Sequence, residues 1–143
     1  MKSIKLIVIV VLLSSCQQQD ESLIGAWQPQ RYILQNGSTV DVDGHIFFSQ
    51  SEWSVVFFTV DENGDVLNGS AEGGDYALDG NRLTFRHKYN MSDIDKGNST
   101  QLRKELKKSS GEYTEETCKI EIKEGVLAIY FPSGNAMIFA KRD

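Results

Sequence analysis

Proline is scarce in this 143-residue chain, with two residues, and cysteine equally so. So few prolines exclude a proline-rich linker or stalk. Two cysteines exclude a scaffold stapled by several disulfides. A basic surplus is missing too: 15 Lys and Arg face 20 Asp and Glu, for a net charge of −5. That argues against a nucleic-acid partner, because phosphate binding needs a basic face. No apolar run approaches the roughly 20 residues of a membrane-spanning helix. Catalytic motifs are absent as well. There is no His-Glu-x-x-His, no Gly-x-Ser-x-Gly and no phosphate-cradling glycine loop. The expectation is a protein that is not an enzyme and carries no cofactor. What the chain does have is 40% hydrophobic residues, enough to build one globular domain at this length.

The first residues read as an address. Lys2 and Lys5 precede eight consecutive aliphatic residues, Leu6 to Leu13, and then Ser14, Ser15 and Cys16. A basic start, a short apolar stretch and small residues before a cleavage point are the parts of a secretory signal. Leu13-Ser14-Ser15-Cys16 resembles the bacterial lipobox. That resemblance implies a signal peptide over residues 1–15, cleavage before Cys16 and a diacylglycerol anchor on its thiol. Two or more acyl chains anchor a protein stably at about 0.8 kcal/mol per buried CH₂. Residues 16–22 form a polar tether. Its Gln17-Gln18-Gln19-Asp20-Glu21 is similar to the stretch that follows the lipidated cysteine in surface-exported lipoproteins of the Bacteroidetes. The implied location is the bacterial cell envelope, on the outer membrane, with the leaflet open. With Cys16 acylated, Cys118 has no partner for a disulfide. It shares its parity with Ile120 and Ile122, which fits a buried, inert thiol.

From residue 23 to 143 the pattern is one of strands. Leu83, Phe85, His87 and Tyr89 alternate with Arg82, Thr84, Arg86 and Lys88. Trp53–Val60 is apolar on both parities, which predicts a strand covered on both sides. Further strands are expected over Trp27–Gln35, His45–Gln50, Asp75–Leu78, Glu112–Lys123, Val126–Phe131 and Ala136–Lys141. Turn residues separate them at Asp61–Asp65, Asp79–Asn81, Glu124-Gly125 and Pro132–Asn135. About eight short sequential strands predict an all-β, antiparallel up-and-down barrel, since closure removes exposed edges. One segment differs. Met91–Gly111 is polar, and Thr100–Lys108 reads as a helix capped by Asn98 or Ser99, so a short helix-like insertion is expected near 99–108. Arg103, Lys104, Lys107 and Lys108 make it basic.

Gly25-Ala26-Trp27 opens the first strand. It resembles the Gly-x-Trp signature of lipocalins and of bacterial lipocalin-like domains, as does the hairpin Gly74–Leu83. The resemblance implies that Gly25 turns the chain into the barrel, that Trp27 plugs the closed end, and that Arg142 packs over Trp27 as a cation–π partner. Two features depart from typical lipocalins: a Thr-Asp-Tyr signature is missing, and the helix-like segment precedes the last three strands. An eight-stranded barrel either holds one small ligand or is filled by its own side chains.

For a ligand-binding interior the candidates are Trp53, Phe57, Phe85, Tyr89 and Tyr130, with His87 as the polar group. The same residues would equally make an ordinary core. Asp61, Asn63, Asp65 and Glu72 stand at calcium-loop spacing, but Val66 occupies the position that requires glycine, so a turn is the better reading. His45, His87 and Cys118 carry no metal-ligand spacing, and no metal is expected. Two functions follow. One is an anchored envelope protein that holds a small apolar or amphipathic ligand in a barrel. The other is a filled barrel that docks a protein partner through its outer face or its basic insertion.

Overall fold

The computed structural model describes residues 22–93, 105–108 and 114–142. Ten strands occur in chain order: β1 (Gly25–Ile33), β2 (Thr39–Val40), β3 (Val42–Phe48), β4 (Glu52–Val60), β5 (Val66–Asp79), β6 (Arg82–Asp93), β7 (Glu105–Lys108), β8 (Thr114–Lys123), β9 (Val126–Tyr130) and β10 (Ala136–Lys141). Eight of them pair in the order β1-β3-β4-β5-β6-β8-β9-β10, and β10 returns to β1. Every one of these pairings is antiparallel. The sheet is therefore a closed eight-stranded barrel, and closure leaves no long unpaired edge for aggregation. Strand β2 is a two-residue strip on β1, and β7 is a short strip on β6.

Local chemistry sets the hairpins. The β8–β9 link is a two-residue loop with positive φ at both Glu124 (51°) and Gly125 (76°), a backbone whose twist matches the flanking strands. In the β4–β5 turn the Asp61 carboxylate accepts the backbone N–H of Asn63 at 2.8 Å and of Asp65 at 2.9 Å. Those bonds hold its carboxyl below the usual range, the Asp65 amide contributing most. This is a turn lock, and it accounts for the acidic spacing that imitates a calcium loop.

Inward side chains alternate along most of the strands. Leu23, Trp27, Phe48, Leu83, Leu127 and Phe139 are all fully or almost fully buried. Each such apolar side chain contributes roughly 1.5–3 kcal/mol on leaving water. Trp27 closes one end: its indole Nε1 donates to the Leu23 carbonyl at 2.8 Å, so the ring is buried with its one polar atom satisfied. No helix among the described residues is long and apolar enough to cross a membrane.

Three expectations need correction. The helix-like insertion near 99–108 is not a helix over Glu105–Lys108, which pair antiparallel with Tyr89–Ser92; residues 99–104 lie outside the described residues. β6 is twelve residues long but pairs with β8 only from Arg82 to His87, so its upper half offers unpaired amides and carbonyls. Filling them outweighs a weak helix propensity. β5 runs for fourteen residues, far beyond the expected Asp75–Leu78, because ladder pairing with β4 and β6 overrides the glycine-rich, non-alternating sequence of Val66–Gly74. Finally, β4 is covered on one face only. Trp53 and Val55 point inward, while Phe58 on the opposite parity stays 37% exposed.

Candidate ligand-binding cavity

Antiparallel pairing sorts the chain into two barrel ends. The Trp27 end carries the turns after β3, β5 and β8. The other end carries the turns after β1, β4 and β9, with Phe131 and Ser133 at its rim. A cavity of about 270 Å³ opens at this second end, near the lower limit of ordinary small-molecule sites. Most of its wall is apolar: Ile46 and Val55 on β3 and β4, Ile129 on β9, Met137 and Phe139 on β10.

Four of the expected ligand-contacting residues converge there. Trp53, Phe57, Phe85 and His87 all line the cavity. The Trp53 ring stands 4.5 Å from that of Phe85 and 5.1 Å from that of His87, the latter edge to face at 84°. Trp53 is fixed by its indole Nε1, which donates to the Asp75 carbonyl at 3.0 Å. A rigid aromatic wall of this kind presents large contact area with little side-chain entropy to lose.

Tyr89 and Tyr130 do not join them. Tyr130 lies on the outer parity of β9, 39% exposed, with the Lys119 ammonium 5.8 Å from its ring. Tyr89 is turned outward by a bulge. On β5, Gly73 pairs with Tyr89 and Gly74 pairs with His87, so Lys88 is the extra residue and the parity of β6 flips there. The Tyr89 ring consequently covers Gly73 on the outside of the barrel and is 44% exposed. Gly74 makes the bulge possible. A Cβ at that position would fall 1.9 Å from the Arg86 carbonyl oxygen, so only glycine fits without a backbone shift.

The polar part of the wall centres on Glu72. His87 Nδ1 donates to Glu72 Oε2 at 3.0 Å. Ser70 Oγ and Asn90 Nδ2 donate to Glu72 Oε1 at 3.1 and 3.2 Å. The His87 hydrogen bond holds the Glu72 carboxyl below its ordinary range, against the opposing effect of partial burial. Glu116 also lines the cavity, from β8 beside Phe85. Glu72 enters the sequence reading only as the last position of the calcium-like spacing and Glu116 not at all, since period-2 patterning signals only apolar side chains. Counting back along β5 from the Asp79–Arg82 turn would have placed Glu72 across from the His87 region. The bulge, which brings Asn90 opposite it, leaves no signal of its own.

The remaining assignments fall elsewhere. Gly25, at φ 123°, and Trp27 lie at the closed end as the signature implies. The cation over Trp27 is Lys141, with Nζ 4.9 Å from the ring centroid, and not Arg142. Strand pairing explains the substitution, because Lys141 is the direct cross-strand partner of Trp27 while Arg142 lies one residue on and is exposed. Cys118 is buried and free, its thiol pushed up to about 12 by burial first and by the nearby Glu116 carboxylate second. A thiol so protonated is a poor nucleophile. Cys16 lies outside the described residues. Among the described residues no cluster of three or more His, Cys, Asp or Glu is placed to hold a metal.

Chemically, the cavity offers apolar burial along most of its wall and a hydrogen-bonding cluster on one side. His87 presents an imidazole held in place by a carboxylate. The described lining includes neither a cysteine thiol nor a lysine amine to pair with it as a nucleophile.

No family model matches the sequence, and no curated protein matches it. Solved structures do. A lipocalin-like protein from Bacteroides uniformis aligns with a TM-score of 0.52 at 19% identity, covering 85% of this chain and 99% of the other. An uncharacterized protein from Bacteroides eggerthii aligns with the same TM-score at 16% identity, covering 84% of this chain and 99% of the other. The closed eight-stranded barrel, its tryptophan-plugged end and these alignments together give the chain a lipocalin-like fold.

Proposed function

We propose that this protein is a lipid-anchored component of a bacterial envelope that binds one small apolar or amphipathic molecule inside its barrel. The observation that carries the reading is the cavity of about 270 Å³, walled by Trp53, Phe57 and Phe85 and carrying the Glu72–His87 pair. Apolar burial supplies affinity at about 25 cal/mol per Å², and a few polar groups fix orientation. The lipobox-like Leu13–Cys16 supports the anchor and the envelope location, and the net charge of −5 suits a protein that does not bind nucleic acid. Binding without chemistry is the simpler use of the site, since the polar cluster sits on one wall of an otherwise apolar space.

Native mass spectrometry tests the reading. The protein is incubated with an envelope extract and then compared under native and denaturing conditions. The expected result is a discrete added mass that disappears on denaturation and is weakened by His87→Ala. A bare chain across extracts of several compositions would contradict it.

A second reading has one observation in its favour. Phe47, Ser54, Gly73 and Tyr89 are successive cross-strand partners on the outer face of β3 to β6, with Phe47 45% and Tyr89 44% exposed. Two exposed aromatics on one outer face favour a docking site for a protein.

A further inference from the structure

We propose that the ligand of this cavity carries a hydrogen-bond-donating head group without negative charge, an alkyl amine best and an alkyl alcohol next, and that alkyl carboxylates and phosphates are rejected. This rests on the ligand-binding reading above and names the class of molecule that the same site takes.

The charges facing the cavity are unbalanced. Glu72 enters from β5 and Glu116 from β8, on either side of His87 on β6. Among the described residues, no Lys or Arg lines the cavity. The cations of these same strands face outward, where carboxylates meet them. Arg86 bonds Glu115 at 2.8 Å, Lys88 bonds Asp75 at 2.7 Å and Lys119 bonds Glu121 at 3.0 Å. Among the described residues, an anionic head group would therefore enter beside two carboxylates with no basic side chain to meet it. Like charges a few ångströms apart in a partly desolvated site repel strongly.

Hydrogen-bond capacity points the same way. Glu72 is already engaged by His87, Ser70 and Asn90. His87 Nδ1 is committed to Glu72, which leaves Nε2 as the remaining hydrogen-bonding atom of the ring. Glu116 makes no hydrogen bond or ion pair with any described residue, so its carboxylate is an open acceptor. The hydroxyls of Tyr32 and Ser133 at the rim can donate or accept and do not discriminate. The open position that discriminates is the Glu116 carboxylate, an acceptor that calls for a donor on the ligand. Its place within an apolar wall calls for an alkyl or aromatic body.

Three probes with the same chain separate the cases: octylamine, octanol and octanoate. The full-length chain carrying Cys16→Ala, refolded without detergent, is titrated at pH 7 by calorimetry, with tryptophan fluorescence as a second readout through Trp53. The expected order is octylamine, octanol, octanoate, with at least about tenfold between the first and the last. Glu116→Gln, and independently Glu72→Gln, narrow that ratio. Octanoate binding as tightly as octylamine overturns the head-group inference and leaves cavity binding standing. Failure of all three to bind saturably overturns the binding reading and this inference with it.

Discussion

Glu72 is the residue on which the site's polar character depends. Three donors converge on its carboxylate while the surrounding wall is largely apolar. Its carboxyl is held below the usual range, chiefly by the His87 hydrogen bond. A carboxyl whose native value is lowered stabilises the fold fully above its unfolded value, 4.5, and loses that contribution as the pH falls through the native value. Glu72→Gln is therefore expected to cost about 1.5 kcal/mol at pH 7, the low end for a hydrogen bond to a charged group that water still reaches. The gap between wild type and variant should shrink as the pH drops below 4.5. Urea unfolding at a series of pH values checks this; a gap that stays constant into acid would show that the carboxylate charge is not what matters. Trp27 illustrates the other residue-scale theme. Its burial at the closed end was legible from Gly25-x-Trp27, whereas its cationic partner was not. Only the strand register decides between Lys141 and Arg142, and the last strand carries no sequence mark of its register.

At the scale of elements, the β5–β6 hairpin determines which side chains meet the cavity. Its lower half follows strict alternation, so Phe85 and His87 could be assigned to the interior from the sequence. Beyond the bulge at Lys88 the parity inverts, so Tyr89 goes outside and Asn90 comes in to meet Glu72. A bulge inserts one residue without altering composition, and period-2 reasoning has no access to it. The same limit hid most of β5, whose glycines break alternation, and made β7 look helical. What was legible is the type and order of most strands, because each of those combines apolar alternation with a turn of recognisable chemistry. Gly74 is the position at which this account of the hairpin can be tested. Gly74→Ala would drive a methyl group against the Arg86 carbonyl, and the expected loss is about 1–3 kcal/mol, the usual cost of forcing extra volume into a packed site. Thermal or denaturant unfolding measures it. A neutral substitution would mean that the bulge is readily remodelled and that the outward placement of Tyr89 is not fixed.

Across the whole molecule, strand polarity relates the cavity to the chain's beginning. Ser22 lies at the closed end, where its carbonyl accepts from Lys141 Nζ at 2.8 Å, while the cavity opens at the opposite end. On the lipid-anchor reading, the barrel's closed end is the one nearer the bilayer and the cavity mouth faces away from it. That anchor is tested by metabolic labelling with palmitate: label should appear in the wild-type protein and be absent from Cys16→Ala. Label retained by the variant would refute anchoring at Cys16. The lipocalin-like fold itself does not decide what the interior holds, since barrels of this size occur both filled and hollow.

On the proposed function, the interior is a ligand site and not a core with a surface defect. The most direct measurement is a crystal structure of the protein after exposure to an envelope extract. The expected result is electron density for a small molecule among Trp53, Phe57 and Phe85, with a polar atom within hydrogen-bond distance of His87 or Glu116. A structure in which Phe57, Phe131 and Met137 have folded inward to close the space, with no bound molecule, would contradict it.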